Sequence, residues 1–123
     1  MCQLGYAVRE TRLDEKVAWR LFRVVKGKLC SLYSHGCSYT AYTIGKKHRA
    51  AIKGCELHTG GSVASLNCVS GFHAFKTRAI ARDQKRQVFF LKNVVVKHVL
   101  LSGRATEHTN GWRAQYMVIP EGQ

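Results

Sequence analysis

Residues 17–25 (VAWRLFRVV) are apolar at almost every position, broken only by Arg20 and Arg23. Their aromatic and β-branched content favours a strand. After Lys26-Gly27 a second run, residues 28–33 (KLCSLY), resumes the pattern, which predicts a hairpin around a short Gly-containing turn. A helix competes, because Leu13, Val17, Leu21 and Val24 fall at helical spacing behind Asp14 as a cap. Composition decides for the strand. Residues 94–101 (VVVKHVLL) and 112–119 (WRAQYMVI) read as an antiparallel pair. Between them Asn110-Gly111 signals a type I′ turn, with a longer loop over 106–110 as the alternative. Thr77 is placed to cap a short helix that runs to Gln87 and holds Ala79, Ile80 and Ala81. Residues 39–44 (YTAYTI) predict a short strand that stops at Gly45.

These elements add up to an α+β fold, mainly antiparallel sheet with one short helix and a long Gly-rich loop region. That region, residues 34–71, carries six of the eleven glycines. The only proline is Pro120 and no Ser/Gly/Pro-rich linker divides the chain, so residues 1–123 are expected to form a single domain. The longest apolar runs, 88–91 and 94–96, fall far short of the ~20 residues of a membrane span. Residues 1–10 show no basic segment followed by an apolar one, so no secretory signal is expected. Five cysteines (Cys2, Cys30, Cys37, Cys55, Cys68) without framework spacing are expected as reduced thiols in a cytoplasmic setting.

Charge changes the picture most. The chain holds 20 Lys and Arg against 7 Asp and Glu, a formal charge of +13 and a pI near 10.0. Residues 16–55 contain nine bases and no acid. Self-repulsion on this scale is offset by a polyanion or an acidic protein surface, so the expected partner is nucleic acid, a nucleotide or an acidic protein, and not a membrane. Lys46, Lys47, Arg49 and Lys53 form the densest group, directly after Gly45. Backbone amides in a Gly turn beside Lys and Arg heads suit phosphate, although the spacing of a P-loop is absent. Arg20 and Arg23 come second, with Tyr42 as a ring that could stack on a base.

Catalytic chemistry has thinner support. Cys55-x-x-His58 and Cys68-x-x-x-x-His73 supply pairs that could hold a zinc, with His35 and Cys37 as a third, but they match no recognised zinc spacing, and no cofactor is implied. Paired carboxylates are too scarce for acid–base work. In residues 68–75 (CVSGFHAF), His73 reads either as a ring packed between Phe72 and Phe75 or as the centre of a small nucleotide-dependent transferase or hydrolase.

Three short segments carry a resemblance: Tyr42-Thr-Ile-Gly45, Cys68-x-x-Gly71-Phe-His73-Ala, and Gly111-Trp-Arg113-Ala. Together they resemble a small domain of unknown function that recurs in bacteriophages and bacteria, with a Tyr-x-x-Gly and a Gly-(Leu/Phe)-His-Ala element. The resemblance would span residues 18–119 and brings no activity with it. It implies a phage-type setting in a host cytosol. With the charge, it leads to the expectation of a small accessory protein that binds a polyanion or an acidic nucleic-acid-handling protein, as an anti-CRISPR or other anti-defence inhibitor would. A zinc-stabilised binding module and the His73-centred enzyme are the alternatives.

Overall fold

A computed structural model describes residues 4–31, 41–50 and 71–122. The chain is a predominantly antiparallel sheet with one short helix, an α+β fold. Strand β1 (Ala7–Val25) is far longer than the apolar run that announced it, and it turns into β2 (Lys28–Cys30). Val25 pairs with Lys28, so Lys26 and Gly27 alone make the turn, with φ of 52° and 77°. Two positive φ values define type I′, whose twist matches that of the flanking strands. The helical spacing of Leu13 to Val24 is therefore incidental. Residues 16–23 pair without a break against β5 (Val94–His108).

Strand β5 continues to His108 and returns as β6 (Gly111–Val118), with Glu107 opposite Trp112. The turn is Thr109-Asn110, one residue earlier than the Asn110-Gly111 signal suggests, and neither residue has a positive φ. Its geometry is held from outside. Thr109 and Asn110 donate their amides to the carbonyls of Tyr6 and Leu4, at 3.0 and 2.8 Å. The possible loop over 106–110 is thus mostly strand.

β6 also pairs with β3 (Lys47–Arg49) and β4 (Phe72–Phe75), and β4 returns to β1 through Trp19 opposite Phe75. The circuit β1–β5–β6–β4–β1 closes the sheet on itself. Register shifts between Leu13 and Lys16 in β1 and between Ser102 and Ala105 in β5 let both long strands bend at the same level. Of the strand expected over 39–44, residues 39 and 40 lie outside the described residues. Ala41 makes a single bridge to Cys30, and regular pairing begins only at Lys47.

Helix α1 (Arg78–Gln87) starts where Thr77 predicts, with the Thr77 hydroxyl accepting from the Ile80 amide at 3.2 Å. Two cores result. Inside the closed sheet lie Phe22, Phe72, Val99, Leu101, Met117 and Ile119. Between the sheet and α1 lie Leu4, Leu21, Phe75, Ala81, Val88 and Val94. Cys30 is a buried free thiol. His35, Cys37, Cys55, His58 and Cys68, five of the six candidate zinc ligands, lie outside the described residues, as does Lys53. Among the described residues no metal-ligating cluster forms, and no helix is long and apolar enough to cross a membrane.

Candidate polyanion-binding surface

Alternation along β1 sends Ala18 and Phe22 into the enclosed core and Leu21, with Trp19, toward α1. Arg20 therefore points inward, in an apolar row. Its guanidinium carbon lies 5.5, 5.6 and 5.7 Å from the ring centroids of Phe22, Tyr42 and Phe72. Nη1 donates to the His73 carbonyl at 2.8 Å and Nη2 to the Tyr42 hydroxyl at 3.3 Å. Three ring faces and two acceptors hold the cation. Nε is buried and finds no partner among the described residues.

Lys97 stands directly opposite Arg20 on β5, facing the same way. Like charges in a direct cross-strand pair destabilise a sheet unless something negative lies between them. No described carboxylate does so. The ion pairs among the described residues are Arg9–Glu107 at 2.8 Å and Lys76–Glu107 at 2.6 Å. Hydrogen bonds from Lys76 first, then Arg9, hold the Glu107 carboxyl below its usual range.

Tyr42 links this pocket to β3. Its ring meets those of Phe22, Phe72 and His48 edge-on, at 5.8, 6.1 and 5.2 Å. His48 is half-buried with Nε2 within 3.1 Å of both the amide and the carbonyl of Thr43. Alternation then turns Lys47 and Arg49 outward, where Lys47 Nζ lies 5.3 Å from the Tyr116 ring. Lys47 and Arg49 are exposed on a three-residue strand at the end of the sheet order, and Lys46 is exposed immediately before it.

The sequence-derived residues thus separate. Arg20, Tyr42, Lys46, Lys47 and Arg49 share one region through the Tyr42–His48 contact. Arg23 belongs to the row that faces α1. His73 is half-buried, and alternation turns it away from Phe72 and Ala74 onto the face that carries Phe75. What it gives the Arg20 pocket is its carbonyl.

Sequence reasoning missed Lys97, whose position beside Arg20 exists only once the β1–β5 register is known. It also passed over the bases of α1. Arg78, Arg82, Lys85 and Arg86 recur at i, i+4, i+7 and i+8, which places them on one flank of a helix. That signal was present in the sequence, outside the acid-free run. No known family, characterised protein or solved structure matches the chain.

Proposed function

We propose that the protein is a binding module for a polyanion, gripped by Lys47 and Arg49 on β3 and by Lys46 just before it, and drawn toward Arg20 and Lys97. The observation that carries this reading is the scarcity of carboxylate counter-charge among the described residues. Glu107 is the one described carboxylate that engages a base, and it serves only Arg9 and Lys76. Edge strands often carry Lys to block edge-to-edge pairing, which accounts for part of the β3 composition. It does not account for two inward cations placed side by side on β1 and β5. An external anion offsets both.

No observation favours the hydrolase or transferase alternative, since the role seen for His73 in the pocket is that of a backbone acceptor. The test is binding to inorganic polyphosphate over a salt series, comparing the natural protein with Lys46→Ser, Lys47→Ser and Arg49→Ser combined. Exposed charge changes shift stability by only about 0.5 kcal/mol, so the variant folds. Its affinity is expected to drop more than tenfold, about 1.4 kcal/mol, with a shallower dependence on salt. A folded triple variant with unchanged affinity overturns the assignment to β3, and a natural protein that ignores polyphosphate overturns the function.

A further inference from the structure

Just beyond the end of helix α1 lies the most exposed contacting aromatic pair among the described residues. Phe89 is 84 % and Phe90 65 % exposed, their rings 6.0 Å apart and nearly perpendicular. Neither contributes to the core beneath, which takes Val88 and Leu91 instead. Two adjacent large rings in water are unfavourable for the isolated fold. Beside them opens a shallow groove of about 690 Å³. Its lining combines the apolar side chains of Val88, Phe89, Leu91 and Val94 with the bases Arg82, Lys85 and Arg86. The sole acid of the helix, Asp83, lies off this flank and accepts from Gln87 at 3.4 Å.

We infer that this groove receives a base of a single-stranded nucleic acid, stacked on Phe89 of its lining with Phe90 set edge-on beside it, and with the α1 bases holding the adjoining phosphates. The inference rests on the polyanion reading and narrows it to one kind of polyanion. Charge selects an anion. The apolar part of the lining and the exposed rings select one that carries flat, hydrophobic groups between its charges, which polyphosphate lacks and nucleic acid has. Asn93, also in the lining, offers the amide chemistry that reads a base edge. An anionic membrane fits less well. The apolar face of α1 is already packed on the sheet through Ile80, Ala81 and Val88, so the helix cannot lie in an interface, and a concave site suits a planar group better than a lipid surface.

The experiment measures fluorescence anisotropy of a labelled oligothymidylate of about twelve nucleotides, with polyphosphate of similar charge as a base-free comparison. Phe89→Ala with Phe90→Ala is expected to weaken oligonucleotide binding at least tenfold, leaving polyphosphate affinity and the salt slope unchanged. Arg82→Gln with Arg86→Gln is expected to weaken oligonucleotide binding and flatten its salt slope. Melting temperatures of both variants verify that they fold. A phenylalanine pair variant that keeps oligonucleotide affinity within twofold overturns the inference. So does a protein that binds polyphosphate but not the oligonucleotide, which leaves the polyanion reading standing. Binding to neither overturns both. Loss of binding to phosphatidylserine vesicles in the phenylalanine variant, with oligonucleotide binding intact, reassigns the groove to lipid.

Discussion

His108 is fully buried, with Nδ1 3.0 Å from the Gly5 carbonyl and Nε2 2.9 Å from Arg113 Nε. A guanidinium can only donate, so Nε2 accepts and Nδ1 carries the proton that it donates to Gly5. Burial lowers the pKa of His108 below 6.5, and the Arg113 charge adds to that against the opposing Gly5 bond. A second proton would fall on Nε2, break the Arg113 bond and set two cations in contact. The unfolded chain takes up a proton at about pH 6.5, where the folded chain still refuses it. Stability from this group is therefore complete above that pH and is lost as pH falls through the lowered folded value. The melting temperature is expected to decline as pH falls below about 6.5, ahead of the loss at Glu107, whose lowered pKa places its titration below 4.5. His108→Gln can still accept from Arg113 and does not titrate, so its profile should be flatter over the same range. An equally steep decline in the Gln variant would assign the titration to another group. Nothing local in the sequence marks this pair, because the ring is fixed by a backbone carbonyl 103 positions away.

At the scale of elements, the legible parts were those with a complete local signal. The Lys26-Gly27 turn and the Thr77 cap each declare themselves within a few residues, and both stand where the sequence places them. The first half of β1 did not. Residues 7–16 are largely charged and exposed, and they are held as strand by β5, about a hundred positions later. The inward aim of Arg20 was equally hidden. Both faces of residues 17–25 are apolar with one arginine each, so alternation alone cannot say which face is enclosed. Two glycines test this distinction between local and distant causes. Gly27 has φ of 77° and nothing within 4 Å of a Cβ, so it is needed only for its conformation. Gly27→Ala should cost about 1 kcal/mol and Gly27→Asn less, because Asn tolerates the left-handed region. Gly111 has no positive φ, but a Cβ there would overlap the Ala74 carbonyl and come within 2.6 Å of Leu4 Cδ2. Gly111→Ala and Gly111→Asn should both destabilise by about 1–3 kcal/mol or more. Denaturant melts of the four variants provide the check. Rescue by Asn at position 111 would mean that backbone conformation, not the close approach of β4, demands glycine there.

For the whole molecule, 20 bases against 7 acids place a repulsive field on a small fold. The two ion pairs at Glu107 neutralise little of it. Screening reaches about 30 Å at 0.01 M salt and about 8 Å at 0.15 M, so repulsion among exposed bases is strongest in dilute buffer. The melting temperature should accordingly rise as sodium chloride is added, the reverse of what a network of surface ion pairs would give. A multivalent anion should do more, because it binds the folded surface rather than merely screening it. Tripolyphosphate at millimolar levels, too dilute for general salt effects on burial, should raise the melting temperature beyond sodium chloride of matched ionic strength. The combined Ser variant of Lys46, Lys47 and Arg49 should be as stable as the natural protein or slightly more so in dilute buffer. It should lose most of the extra response to tripolyphosphate, while the response to sodium chloride persists through the remaining bases. Equal responses to both salts in the natural protein would reduce the charge to a diffuse field with no gripping site. A full tripolyphosphate response in the variant would move the grip from β3 to the bases of α1.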